Sequence, residues 1–280
     1  TYFESSNADD MRDRFVAAIN SIMRRSESGT SISVLATSGT GEGALYQSYF
    51  YPSTQEASTN ADVRWTGFTQ GLWVDKFGNV REDTDGDHRL VLSHDHIIKT
   101  IIDPGTNDVG LQRFVDANAD GKADTPSSPV ATIPLKEGIG IWEAGKQLAK
   151  LDHANRRILT WVDLNNDGVV DAGHDAGGQA DGTHGSSGEV IPFTTANATP
   201  LKEYLRADAD TPTSNPFKSI DIIQFIRGCY DTAAAGPCPK SSVQRDRRMT
   251  VPGLGLVVWK FGDPVHSTPT IVSQPRESYD

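Results

Sequence analysis

The sequence predicts an α+β fold dominated by β-strands, in which antiparallel hairpins alternate with short inserted helices. Asp outnumbers Glu by 27 to 10, and Asp favours turns and helix caps whereas Glu favours helix interiors. The chain also contains 26 Gly and 15 Pro, residues that interrupt regular elements. Its 280 residues are enough for one large or two modest domains.

Apolar spacing predicts the elements along the first part of the chain. Residues 9–25 show apolar positions at helical spacing, with acids at the start and arginines at the end. Two β-rich stretches around the glycine-rich residues 38–43 predict a hairpin. Residues 53–62 are polar and predict a surface loop, and residues 71–75 and 80 predict strands on either side of a turn.

The later elements are shorter, and two of them are helices opened by proline. Asn215 and Pro216 favour the start of a helix that ends at Gly228, a good C-terminal stop. The remaining predictions are strands over 97–102, 111–115, 157–162, 254–259 and 270–272, a helix over 140–150, and a short helix at Pro200.

Charge and hydropathy exclude two classes of partner. The net charge is −11, and an acidic surface repels phosphate backbones, so nucleic-acid binding is not expected. No apolar run approaches the ~20 residues of a membrane-spanning helix, so no membrane span is expected. Residues 1–10 have no signal-peptide pattern, which fits a cytosolic chain or a mature piece of an exported one.

The two cysteines, Cys229 and Cys238, are separated by a short segment that contains Gly-Pro. They either form the one disulfide available or are two independent buried thiols. A disulfide favours an oxidising, exported location. Two cysteines alone do not complete a tetrahedral zinc site, and no histidine lies between them.

Two acidic loops share the pattern D-x-N-x-D-G-x-x-D. Calcium prefers six to eight oxygen ligands, and this spacing gathers carboxylate and amide oxygens on one side of a tight turn. The glycine lets the chain reverse, and the following residue offers its carbonyl oxygen. The expected ligands are Asp163, Asn165, Asp167, Val169 and Asp171 in one loop, and Asp116, Asn118, Asp120, Lys122 and Asp124 in the other.

Both loops depart from the EF-hand pattern at the twelfth position, where a bidentate Glu is usual. Ser127 and His174 occupy that position, and Asp175 is the replacement expected for the second loop. Both loops follow strands, so we expect calcium loops between β elements rather than helix–loop–helix sensors. The alternative is that they are Asp/Asn/Gly turns without metal.

A third acidic loop contains Asp83, Asp85 and Asp87, with its glycine at an unusual place. It is interpreted either as a further calcium loop or as a solvated loop. Nearby, His94 and His96 are expected on one side of a strand, where they would bind a transition metal or simply lie on the surface. No nucleophile motif is present, so no enzymatic activity is expected; a metal-assisted hydrolase using the two histidines is the remaining enzymatic hypothesis.

Six ordered segments together are similar to the PilY family of type IV pilus biogenesis factors and tip adhesins. Residues 259–272 (WKFGDPVHSTPTIV) resemble the family's G-D-I-x-x-S-T-P segment, with Pro264 in place of the usual isoleucine. The other similar segments are 67–75 (GFTQGLWVD), 141–149 (IWEAGKQLA) with 157–161 (RILTW), and 224–228 (QFIRG) with 245–248 (RDRR).

The resemblance implies an exported, pilus-associated protein at the cell surface. It places residues 1–25 in the last helix of an upstream von Willebrand A-like domain, 26–250 in a β-rich linking module, and 251–280 in the opening strands of a C-terminal β-propeller. Expected partners are pilin or minor pilins, other regions of the same larger polypeptide, and a host or abiotic surface. A structural subunit of a calcium-dependent extracellular filament, which would self-associate through incomplete strands, is the alternative.

Overall fold

The computed structural model describes residues 28–36, 43–102, 109–163, 189–207, 218–229, 244–265 and 269. The chain forms two compact units. The first consists of Thr1–Ala149 together with Asp246–Asp280, and the second consists of Lys150–Arg245. The model confirms the β-rich character and the few short helices predicted from the sequence.

The first unit is built on an eight-stranded antiparallel sheet. Seven strands follow one another in space in chain order, and β8 pairs with the central part of β3. The strands are β1 Ser28–Ala36, β2 Gly43–Glu56, β3 Ala61–Val74, β4 Val80–Arg81, β5 Ile97–Ile102, β6 Val109–Phe114, β7 Ala131–Pro134 and β8 Trp142–Glu143. Helix α1 (Ala144–Lys150) follows β8 directly.

The β2–β3 hairpin is longer than the sequence predicts. The pairing runs from Gly43 opposite Val74 to Glu56 opposite Ala61, which leaves only residues 57–60 as the turn. The predicted surface loop over 53–62 is therefore wrong at both ends. Its residues 53–56 and 61–62 lie in paired strands, and pairing with a partner strand overrides the turn preference of Ser, Thr and Asn.

Residues far apart in the chain form the core of the first unit. Tyr49 and Phe68 stack with their ring centroids 5.0 Å apart, and the ring centroids of Phe68 and Trp259 are 4.9 Å apart. The buried cluster contains Tyr49, Phe68, Leu72, Ile98, Leu111, Leu135, Met249, Val251 and Trp259. Three of these belong to the segment after residue 245, in or next to the hairpin of β11 (Arg248–Val251) and β12 (Gly255–Val258).

The C-terminal segment is tied to this sheet by specific contacts. The Glu56 carboxylate accepts hydrogen bonds from the Thr250 N–H and hydroxyl, both at 2.8 Å. Lys260 donates to the carbonyl oxygen of Ala149 at 3.2 Å. The described residues 251–265, which the sequence analysis places at the start of a propeller, thus pack against the sheet of the first unit. Residues 1–25 and most of 266–280 lie outside the described residues.

The second unit combines a two-stranded sheet with short helices. Strand β9 (Leu159–Trp161) pairs antiparallel with β10 (Val190–Pro192), and two helices follow, α2 (Ala198–Leu201) and α3 (Ser219–Arg227). Its core consists of Val162, Ile191, Phe193, Ala198, Leu201 and Ile223. Helix α3 ends as predicted at Gly228, which has a left-handed backbone (φ 88°) and donates its N–H to Gln224 and Phe225 carbonyls.

Two arginines hold the end of α3 in place. Arg227 is buried and donates to the carbonyl oxygens of Phe193, His153, Ala154 and Arg156 at 2.8–3.1 Å. Arg156 donates in return to the Arg227 carbonyl at 2.8 Å. The arginine of the QFIRG segment therefore serves the fold of the second unit.

Cys229 follows this helix, is buried and is disulfide-bonded. The only other cysteine in the chain is Cys238, which lies outside the described residues. In the described part of the chain, no helix has the length and apolarity needed to cross a membrane.

Candidate metal centre

Three polar loops meet beside the short strand β4. The first is the turn 75–79 after β3, the second is the loop 82–96 after β4, and the third is the loop 115–130 after β6. The Asn79 side chain donates to the Gly121 carbonyl at 3.0 Å and joins the first loop to the third. Residues of the second and third loops, including Asp85 and Asp116, line a common cavity of about 340 Å³.

The second loop brings three carboxylates together. Asp83, Asp85 and Asp87 each offer one oxygen, and these oxygens all lie within 4.8 Å of one another. Asp83 is fully buried, whereas Asp85 and Asp87 are exposed. Among the described residues this is the one group of three such side chains that satisfies this distance, and it could hold a metal ion.

The buried member of the group has an oxygen without a partner. Asp83 Oδ2 accepts the His88 N–H at 3.2 Å, but within the described part of the chain Asp83 Oδ1 has no hydrogen-bond partner. A buried, unsatisfied carboxylate oxygen is costly. A cation bound between the three carboxylates would satisfy it, so the donor set fits a hard divalent ion.

The backbone of this loop supplies the chain reversal that the sequence pattern lacked. Gly86 has φ 74° and His88 has φ 60°, so a histidine adopts the left-handed conformation usual for glycine at the sixth loop position. The Asp85 carboxylate accepts the Asp87 N–H at 3.3 Å, and the Asp87 carboxylate accepts the Arg89 N–H at 2.7 Å. The glycine placement therefore does not prevent a compact loop.

Asp95 is a residue of this site that the sequence analysis missed. It is buried, and its two carboxylate oxygens accept the Thr84 N–H at 2.9 Å and the Val91 N–H at 2.7 Å. Burial raises the pKa of Asp95, and the negative charges of Asp85 and Asp83 raise it further against these hydrogen bonds. The only sequence signal was a further acidic residue near the end of the same loop.

Arg81 is the second residue that sequence reasoning missed, and it lies at the centre of the three loops. Its side chain is fully buried, as are those of its two acidic partners. Nε donates to Asp75 Oδ2 at 2.6 Å and Nη2 donates to Asp116 Oδ2 at 2.5 Å. Nη1 donates to the carbonyl oxygens of Leu92 and Asp95 at 2.7 and 2.8 Å.

The turn 75–79 is satisfied by its own groups. Asp75 accepts the Phe77 and Asn79 N–H groups and the Asn79 side-chain amide, at 2.8–3.0 Å, in addition to Arg81. Burial by itself would raise the pKa of Asp75, but the hydrogen bonds from Asn79 and Arg81 outweigh it and lower the pKa. This carboxylate is held ionised inside the protein.

The Asp116 loop folds into the expected tight turn, but its acids do not converge. Asp116 Oδ1 accepts the Asp120 N–H, and Asp116 Oδ2 accepts the Gly121 N–H as well as Arg81. Asp120 accepts the Lys122 N–H, and Asp124 accepts the Ala117 N–H. In the described structure Asp116, Asp120 and Asp124 do not form a group with mutually close oxygens.

Asp163 alone represents the remaining predicted loop. Its N–H and carbonyl contact the Tyr204 hydroxyl at 3.1 and 3.4 Å. The other expected ligands, Asn165, Asp167, Val169, Asp171 and Asp175, lie outside the described residues, so calcium in this loop stays a prediction.

The expected strand placement of His94 and His96 is wrong. The N–H groups of His94 and Asp95 both donate to the Val91 carbonyl, at 2.9 and 2.8 Å, so these residues form a turn, and β5 begins only at Ile97. Burial lowers the pKa of His96. Both rings line the cavity next to Asp85, but the described residues include no three-ligand group with a histidine.

Comparisons with known proteins provide no further identification, because no protein-family model, curated protein or solved structure matches this chain.

Proposed function

We propose that this chain is a calcium-stabilised, non-enzymatic module of an exported, PilY-like protein that assembles type IV pili or contacts surfaces at their tips. The observation that carries the calcium part is the Asp83 group, with its buried and unpartnered oxygen. Oxygen-only donors suit calcium better than transition metals, which favour nitrogen and sulfur ligands. The calcium stabilises the loops that close one side of the sheet.

The pilus part of the proposal rests on the resemblance, and the packing of its segments supports it. Gly67, Gly145 and Trp259 come from three separate PilY-like segments and meet in the core of the first unit. Trp259 Nε1 donates to the Gly67 carbonyl at 2.9 Å, and the Trp259 ring lies where a side chain on Gly145 would be. Because these three segments pack against one another, they belong to one part of the fold and are not three unrelated similarities to the family.

Calcium dependence of stability tests the calcium part. A metal that binds only the folded protein adds about 2.7 kcal/mol at a hundredfold excess over Kd, which corresponds to roughly 5–10 °C for a unit of this size. We expect calorimetry of the full chain to show this rise in Tm when EGTA is replaced by calcium, and Asp85→Asn to abolish the part that is due to this loop. The exposed Glu203→Gln is the matched control and keeps the full rise. Equal melting of wild type with and without calcium contradicts calcium binding.

A separate experiment tests the pilus part. In the organism that encodes the chain, we expect in-frame deletion of these residues to reduce the number of surface pili seen by electron microscopy. Binding of purified major and minor pilins to the chain is measured by surface plasmon resonance in the presence of calcium. Unchanged piliation together with no binding to any pilin overturns the pilus assignment and leaves the calcium result standing.

A further inference from the structure

Different cations neutralise three acidic segments beside β4, which are the Asp75 turn, the Asp83 loop and the Asp116 loop. Asp75, Asp116 and Asp83 are all buried, and a buried carboxylate requires a compensating charge. Among the described residues, the guanidinium of Arg81 supplies this charge to Asp75 and Asp116, and it is not bonded to Asp83.

The hydrogen bonds of Asp116 leave little capacity for a metal. An ionised carboxylate has about four acceptor positions, and three of those on Asp116 are filled by Asp120 N–H, Gly121 N–H and Arg81. Asp75 has all of its positions filled in the same way. A divalent ion on Asp116 would also lie close to the guanidinium, and like-charge repulsion at such a distance weakens binding by at least ~100-fold.

Asp83 has the opposite environment. Its Oδ1 is buried without a partner in the described structure, and two exposed carboxylates stand beside it. The His88 ring lies 3.3 Å from Asp83 Oδ2 and is itself largely exposed. The internal cation therefore serves the Asp75 turn and the Asp116 loop, and the Asp83 loop has acceptors available for an external ion.

The same guanidinium also anchors the end of the Asp83 loop (82–96). Arg81 Nη1 donates to the carbonyl oxygens of Leu92 and Asp95, and Asp95 in turn holds Thr84, the residue after Asp83, through its N–H. Through these hydrogen bonds, Arg81 holds in place the backbone of the loop that carries Asp83, Asp85 and Asp87.

We infer that Arg81 is a built-in cation that takes the place of a metal for the Asp75 turn and the Asp116 loop, so that the Asp83 loop alone among these three binds an external divalent cation. The last clause rests on the proposed function. The Asp116 and Asp83 loops have similar sequence patterns but different roles. The Asp116 loop matches the calcium-loop pattern better and is neutralised by arginine, whereas the Asp83 loop matches it less well and is the metal site.

Calcium stoichiometry of the full chain tests the assignment of the loops. We expect isothermal titration with calcium to give one equivalent fewer for Asp85→Asn than for wild type and an unchanged number for Asp120→Asn. Asp120 is exposed, and an asparagine there keeps the acceptor for the Lys122 N–H, so the fold is retained. Loss of an equivalent in Asp120→Asn overturns the inference. If wild type binds no calcium, the proposed function fails instead, and the next measurement decides on Arg81.

Metal-free stability tests the built-in cation. In EGTA we expect Arg81→Met to lower the Tm of the first unit by at least 10 °C, because two buried carboxylates lose their counter-charge, whereas Arg89→Met on the exposed side of the same loop changes it by less than about 2 °C. Arg81→Met that melts within 2 °C of wild type in EGTA contradicts the role. A variant that does not fold at all agrees with it, and the Asp120→Asn stoichiometry then decides the loop assignment.

Discussion

The indole Nε1 of Trp259 donates a 2.9 Å hydrogen bond to the carbonyl oxygen of Gly67, across a sequence separation of 192 residues. The ring occupies the space that a side chain on Gly145 would need, and it contacts Phe68 in the core. Since Gly67 and Trp259 lie on either side of the second unit in the chain, the core of the first unit is completed only after the second unit has been synthesised.

Gly67 allows the close approach of two backbone segments. A Cβ on Gly67 would overlap the carbonyl oxygen of Gly262 and lie 2.7 Å from its carbonyl carbon. We therefore expect Gly67→Ala to destabilise the first unit by about 1–3 kcal/mol or more, because backbone must shift. Urea unfolding measures this change. Gly262→Ala is the control, since its Cβ meets nothing within 4 Å; similar losses in both variants would disprove the steric explanation.

Glu56 predicts an acid-dependent loss of stability. Burial would raise its pKa, but hydrogen bonds from Thr250 and Ser58 outweigh burial and lower it from 4.5 to about 2. Because the folded pKa lies below the unfolded one, the contribution is fully present above about pH 4.5 and is lost as pH falls towards 2. We expect the Tm difference between wild type and Glu56→Gln to be constant from pH 5 to 7 and to shrink towards pH 2. A difference that does not change with pH contradicts the shift.

Gly228 provides a test in the second unit. Its left-handed backbone ends α3, a conformation that costs most residues about 1 kcal/mol and that asparagine tolerates better. We expect Gly228→Ala to destabilise the second unit by about 1 kcal/mol and Gly228→Asn by roughly half as much, with hydrogen exchange of α3 amides as the measurement. A loss in Gly228→Asn as large as that in Gly228→Ala, or larger, would contradict the backbone explanation.

Predictions that depend on local sequence agree best with the structure. Strand β5 covers residues 97–102 as predicted, and α3 ends at the predicted glycine, because a short run of β-branched residues and a C-terminal glycine act over a few residues. The loop predicted at 53–62 failed because pairing between β2 and β3 is decided by the partner strand. The strand predicted at His94 and His96 is wrong because the Val91 carbonyl, rather than a neighbouring strand, accepts the His94 N–H.

For the candidate site, the local sequence is enough to predict short acidic loops after strands, with oxygens that suit a hard cation. How each loop is neutralised depends on contacts between residues that are distant in the chain. Arg81, Asp95 and Asp116 are separated in sequence, yet the buried Arg81 guanidinium donates hydrogen bonds to the Asp95 carbonyl and to the Asp116 carboxylate. Charge compensation in a buried site depends on which groups are brought within about 3 Å, and loop spacing alone carries no information about a cation supplied by another strand.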